Sequence, residues 1–369
     1  MYVNKKTKKK SRLSRKTVVF FSAVSVVFVV LLTGIIVILT AGRDLKDTMK
    51  AMPFGPGSAH YITGQNIVYA DNDLLTCVNG SLGNVWQLRL FSGGLNFTVN
   101  DSLIAATGQG VIQVIDANGN HQFSKQLDGD IVSARVGRDM VAVYTQQHLE
   151  DKTPAYIIVF NLTGEQLFLL DVTDRHVLDY GFDATSDALY VLELDASGSV
   201  PISCISTYKP DTQAITMIKE LKDQLVSAVY WIDDKIYAIG TNHLTVYQSL
   251  SSDDQKLTTY GWMLEDVYRT DDPKFVYVPS GSSGTFDIAR ILRPSGSEIK
   301  INLPPGVFRI VHEGEKIYCF ANKQLFVYTG EGKYLRTYDF PFEITGVERA
   351  IADQVFIEHD DMVSMMPLP

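Results

Sequence analysis

Cysteine is scarce, with only Cys77, Cys204 and Cys319 in 369 residues. An odd count leaves at least one thiol unpaired, and three widely spaced cysteines do not make a disulfide-stapled secreted module. Each lies in an apolar, strand-like run ("LLTCV", "PISCI", "IYCF"), which predicts three buried free thiols. Histidine is equally dispersed. None of the seven lies two or four positions from another, so no local metal motif exists. No loop of the D-x-D-x-D-G type is present, which removes the usual calcium-loop signature. The glycine-serine stretch "GSSG" (281–284) lacks the lysine and following helix of a phosphate loop.

Acidic residues are absent from the first 42 positions. Residues 1–16 carry eight Lys/Arg, and 17–42, "TVVFFSAVSVVFVVLLTGIIVILTAG", carry no charge at all. Roughly 20 apolar residues cross a bilayer core, whereas the apolar part of a cleaved signal peptide spans about 7–15. The run is too long for a cleaved signal and reads as a signal anchor, a single transmembrane helix. The cations on its N-terminal side place residues 1–16 in the cytoplasm as a basic tail. The remainder, 43–369, then lies outside the cytoplasm. Of the 33 basic residues, 25 fall outside the tail, against 42 acidic ones. A body that acidic repels phosphates, so nucleic acid is excluded as a partner.

Long helical patterns are missing from the body. In their place a phrase recurs: "DKIYAIGTNHLTVYQ" from Asp234 returns as "EKIYCFANKQLFVYT" from Glu315. Related units start at Asn66, Ser102, Asp139, Asp187, Lys274 and Asp353, giving eight starts spaced 36 to 48 residues apart. Each unit holds short β-branched and aromatic runs with period-2 alternation, separated by Gly, Asn or Asp turns such as "DANGN", "NLTGE" and "GEGK". Four short antiparallel strands per ~40 residues is the WD40-like grammar of a propeller blade. The expected fold is all-β, an eight-bladed β-propeller over 58–369. The longer spacings are insertions, "HLEDKTP" and "ASGSVP", expected as loops. The last unit supplies three strands and stops. Residues 43–57 are therefore either a juxtamembrane linker or the source of a ring-closing outer strand, with Pro53 barring a central one.

The blade grammar resembles the quinoprotein-like (PQQ-like) eight-bladed propeller superfamily over ~58–367. In "NGSLGNVWQL" (79–88), Gly80, Gly83 and Trp86 look like the turn-then-Trp docking element those propellers repeat. Other blades place Phe, Leu or Tyr near that position. The anchor-plus-propeller layout is similar to bacterial membrane proteins with one N-terminal helix and to propeller scaffolds of envelope assembly machines. Quinoprotein dehydrogenases hold their quinone with adjacent cysteines, a stacking Trp and a calcium-carboxylate cluster. No adjacent cysteines occur here, so no cofactor or metal residues carry over.

The Asp doublets 233–234, 253–254, 271–272 and 360–361 sit between strand runs, where Asp satisfies turn backbone, and read as turn formers rather than acid pairs. The sequons at Asn79, Asn96, Asn100 and Asn161 bear only on a eukaryotic secretory route. His60 and His312 fall on inner-strand runs and could face a central channel together. Inner strands converge on the propeller axis, so Arg135, Asp179, Tyr230, Tyr268, Arg269, His312 and Arg349 are the funnel candidates for binding. No residue is assigned a catalytic role. The expectation is a membrane-anchored, non-catalytic scaffold with an envelope or membrane protein partner. The alternative is an extracytoplasmic lyase or glycan hydrolase using the axial funnel.

Overall fold

The computed structural model describes residues 48–90, 96–183, 188–248 and 254–369. The basic tail, the run 17–42 expected to cross the membrane and residues 43–47 lie outside the described residues. Among the described residues no helix is long and apolar enough to cross a membrane. Residues Met49–Pro369 form one compact body.

Successive antiparallel meanders build four-stranded sheets. Blade 1 comprises His60–Thr63, Asn66–Asp71, Leu74–Asn79 and Asn84–Arg89. Blade 2 comprises Asn96–Val99, Leu103–Gly108, Val111–Asp116 and His121–Gln126. Blade 3 runs through Asp130–Val136, Met140–Gln146, Ala155–Asn161 and Gln166–Asp171. Blade 4 runs through His176–Phe182, Leu189–Asp195, Ile202–Lys209 and Ala214–Leu221. Blade 5 holds Val226–Ile232, Lys235–Gly240, His243–Gln248 and Gln255–Thr258. One seven-stranded sheet comes next, and its 16-residue strand Glu298–Glu313 serves twice. Its first part is the outer strand of blade 6, after Trp262–Tyr268, Lys274–Pro279 and Phe286–Leu292. Its second part is the inner strand of blade 7, before Lys316–Ala321, Gln324–Thr329 and Tyr334–Asp339. Blade 8 has Gly346–Arg349, Gln354–His359 and Met362–Pro367. Its outer strand is Lys50–Ala51, which pairs with Met365 and Ser364.

The described residues thus make eight four-stranded units, and Lys50–Ala51 meets the C-terminal strand in the last of them. First strands of successive blades touch one another, which places them around the axis. This is a β-propeller. The N-terminal contribution begins before residue 58. Met52 and Phe54 are buried with Ile67, Phe356 and Met365, because a two-strand contact at Lys50–Ala51 would be weak without an apolar plug beside it.

The repeating turns explain how blades lock. Trp86 lies over Gly119 in the turn of blade 2, where a Cβ would come within 2.8 Å of its ring, and Trp86 Nε1 donates to Ala117 O at 3.0 Å. Phe123 covers Gly164 of blade 3 in the same way, and Phe168 packs on Tyr208 of blade 4 at 5.4 Å. Blade 7 has Arg336 at the equivalent register position, opposite Val327. The next blade has no such turn to receive an apolar ring, because the third and fourth strands of blade 8, Met362–Pro367 and Lys50–Ala51, are not consecutive in the chain.

The Asp doublets within the described residues are turns. Asp360 and Asp361 both have positive φ, 48° and 58°, the geometry of a tight hairpin connection, and Asp233 has φ 53°. Asp253 lies outside the described residues. Asn79 and Asn161 are turn formers too, since each side-chain oxygen accepts backbone N–H bonds from the residues two and four positions on. Cys77 and Cys319 are buried as expected, and burial pushes the Cys77 thiol up to about 11. Cys204 departs from the expectation: it is only half-buried, near the end of a strand whose outer neighbour leaves it open to a cavity.

Candidate functional site

The inner strands fall into two sets. Those of blades 1, 2 and 8 are four residues long and pair without irregularity. Those of blades 3 to 7 are longer, and each carries a register shift that leaves one extra residue: Val132, Leu178, Ser227, Glu265 and Phe308 in turn. A bulge bends its strand and re-aims the neighbouring side chains. The charged side chains near the axis concentrate in this bulged arc.

At its start Arg135 Nη2 approaches Asp179 Oδ1 at 3.4 Å, and the guanidinium lies 5.3 Å over the Tyr180 ring. Asp179 also accepts from Tyr190 Oη at 3.0 Å. Burial and the adjacent carboxylate raise the Tyr190 phenol well above its ordinary range. Burial takes Tyr180 to about 12, and its hydroxyl meets Ser133 Oγ at 2.9 Å. Further round, Arg269 covers the Tyr230 ring at 4.9 Å.

Blades 6, 7 and 8 are tied by one guanidinium. Arg349 Nη2 donates to Asp266 Oδ2 at 2.6 Å and Nε to Asp266 Oδ1 at 3.3 Å, a forked pair. The same group donates to Glu313 and to the His312 carbonyl. Asp266 in turn accepts the His312 backbone N–H at 2.9 Å. Beside this lies Arg309–Glu265 at 2.9 Å, where burial pushes the Glu265 carboxyl up and Arg309 pulls it back in part.

The seven predicted candidates therefore resolve into three groups. Arg135 joins Asp179, Tyr230 joins Arg269, and the rings of Tyr268 and His312 lie tilted with centroids 4.9 Å apart beside Arg349. The expectation for His312 as a funnel-lining group is corrected: it is fully buried between blades, with neither ring nitrogen hydrogen-bonded. Burial, with Lys274 nearby, lowers it to about 4. Nor does it share a channel with His60. That ring stacks on Phe54 at 4.6 Å and pairs with Glu348 at 3.2 Å. Burial opposes charge on His60, but Glu348 and the Ser58 carbonyl outweigh it and raise the pKa. Sequence alternation missed Asp266, Glu265, Arg309 and Glu313, although the acidic pair inside "WMLEDVY" was the available signal.

A cavity of about 480 Å³ opens against the inner strands of blades 1, 2 and 3, lined by Tyr61, Asn96, Phe97, Val132, Ser133 and Arg135 among others. Of the seven candidates only Arg135 reaches it. It lies where the short inner strand of blade 2 leaves the longer strand of blade 3 uncovered. Among the described residues, no group of three or more His, Cys, Asp or Glu side chains is placed to hold a metal ion.

No protein-family model matches the sequence, and no curated protein matches it. Solved structures are similar in fold. BamB from Moraxella catarrhalis matches with a TM-score of 0.54 and 13% identity, covering 87% of this chain and 98% of that one. The C-terminal WD40 domain of Sif2 matches with a TM-score of 0.58 and 10% identity, covering 86% and 98%. At these identities the likeness establishes the fold, a β-propeller.

Proposed function

We propose that this protein is a membrane-anchored, extracytoplasmic propeller of the eight-bladed, PQQ-like kind that binds a protein or envelope polymer without catalysis. The observation that carries the reading is the state of the inner-strand charges. Arg135, Arg309 and Arg349 each face a carboxylate from a neighbouring blade, and His60 faces Glu348. A group held in a neutralising pair stitches the ring and is a poor general acid or base. The anchor reading rests on residues 17–42, and the likeness to BamB and to a WD40 domain fits a scaffold assembled from blades. The envelope or membrane protein partner follows from that placement.

The enzyme alternative, a lyase or glycan hydrolase, has one observation in its favour, the cavity beside Arg135. The carboxylate paired with Arg135, Asp179, is shared with Tyr190. The topology test is a reporter fused after Pro369. Activity confined to an extracytoplasmic assay is expected, and activity of a cytoplasm-only reporter contradicts the placement. Glycan turnover by the purified protein, abolished by Asp179→Asn, overturns the non-catalytic reading.

A further inference from the structure

Outer strands end their sheets with one edge unpaired. The outer strand of blade 4, Ala214–Leu221, is eight residues long, against six in blades 1, 2, 3 and 7. Its first five residues "AITMI" are uncharged, ahead of Lys219 and Glu220, and Ile215 and Ile218 are 59% and 58% exposed. An uncharged, extended edge is a template for another strand.

Its register makes the edge directional. Tyr208 pairs with Ile215 and Thr207 with Met217, so Thr216 is an extra residue. The shift turns Ile215, Ile218 and Glu220 to one side of the sheet, the side of Tyr208, Ser206 and Cys204. That side faces blade 3, where Tyr208 packs on Phe168. The other side carries Met217 and Ile205, which pack towards blade 5. At the Glu220 end lies a cavity of about 530 Å³, lined by Asp174, Arg175, Glu193, Asp195, Cys204 and Glu220 among others. Arg175 is spent on Glu193, with Nη1 at 3.0 and 3.3 Å from the two oxygens. His176 also lines the cavity, and Lys222 Nζ lies 3.0 Å from Glu220 Oε2 in an exposed pair, so Asp174 and Asp195 keep the acidic balance.

We infer that the edge of blade 4 takes an extended, basic segment of a partner protein as a fifth strand. Main-chain bonds to Ala214–Leu221 supply affinity and the side chains that face blade 3 supply selection. An aliphatic residue lies against Ile218, and a Lys or Arg two positions along enters the acidic cavity beside Glu220. The partner is a protein rather than a lipid surface, because the feature that needs covering is a row of backbone groups. The inference rests on the scaffold reading above and names the kind of partner.

The probe is a fluorescein-labelled decapeptide with an Ile-Thr-Lys centre flanked by threonine and valine, titrated by anisotropy into the full-length chain in detergent micelles. Binding is expected, and it weakens by about tenfold when the Lys is replaced by Glu, since like charges then meet at Glu220. A proline in place of the central Thr removes a ladder bond and abolishes binding. Ile218→Lys and Glu220→Lys, both exposed, each weaken binding by about tenfold while leaving the melting temperature unchanged. Equal binding of the Lys and Glu peptides, no binding of either, or no effect of both substitutions overturns the inference. So does a dimer in sedimentation that Ile218→Lys dissolves, which makes a second copy the occupant. Peptide failure combined with a discrete in-cell crosslink from a distant exposed position such as Tyr260 overturns this inference alone and leaves the scaffold reading standing.

Discussion

The two arcs of the ring are held by different chemistry. In blades 8, 1 and 2 the inner strands are short and regular, and the glue is aromatic. Phe54 meets His60, Tyr69 and Phe356 with centroids 4.6, 5.3 and 5.8 Å away, and Tyr61 meets Phe97 edge-on at 5.0 Å. In blades 3 to 7 the inner strands are bulged, charge pairs bridge blade 3 to 4 and blade 6 to 7, and Arg269 covers Tyr230 between blades 5 and 6. The joint between the arcs is Arg349, a residue of the regular set that reaches back to Asp266 and Glu313 in the bulged set. The difference follows from closure. A blade assembled from two separate stretches of chain needs an apolar plug, whereas blades made from continuous chain carry buried charges held in pairs.

The largest effect tests closure itself. Removing residues 362–369 deletes the strand that pairs with both Gln354–His359 and Lys50–Ala51. Cooperative melting should be lost, because blade 8 then has no middle. An unchanged transition would mean that the ring is held elsewhere.

Next come single residues, one per arc. Arg349→Met leaves Asp266 and Glu313 buried or half-buried without a counter-ion, and should cost about 3–5 kcal/mol. Phe54→Ala should cost about 3 kcal/mol by opening the aromatic plug. A rise in salt separates the arcs further: it should narrow the Arg349→Met deficit, since Arg349 and Glu313 are 30% and 26% exposed, and leave that of Phe54→Ala unchanged in a denaturant titration.

The two histidines should respond to pH with opposite sign. His312 has a folded pKa of about 4 against an ordinary 6.5. Its burial as a neutral ring is therefore harmless above pH 6.5 and opposes folding progressively as pH falls towards 4. The loss is on the order of 3 kcal/mol. His312→Phe should abolish that part of the acid sensitivity and leave stability near neutrality within about 1 kcal/mol, because both ring nitrogens lack partners. His60, raised in the folded state, contributes stability that is present below 6.5 and lost as pH climbs through its folded value. His60→Phe keeps the stack on Phe54 and should cost less than about 1 kcal/mol, since Glu348 is 63% exposed. A His312→Phe variant with unaltered acid sensitivity would contradict the assignment.

The repeat made the architecture legible. Strand grammar recurring eight times located the blades, the insertions at 148–154 and 196–201, and the outer-strand position that Trp86, Phe123 and Phe168 occupy. Period-2 alternation could not locate the bulges, because one extra residue moves every later side chain to the other face. That is why His312, read as lining the funnel, lies between blades, and why Asp266 and Glu265 went unnoticed as partners of Arg349 and Arg309. The half-exposure of Cys204 was hidden for a related reason. Its neighbours in sequence are apolar, whereas its neighbours in space are Glu193 and Glu220 across the sheet.

The central claim is that the exposed surface of the propeller, and not an acid or base at its axis, carries the function. In-cell photocrosslinking from an unnatural residue at Ile218 and at Tyr260 tests it most directly. The account predicts a crosslinked protein of one discrete mass from at least one position, retained when Asp179→Asn is added. The absence of any product from both positions, or loss of the product through Asp179→Asn alone with folding intact, would contradict it.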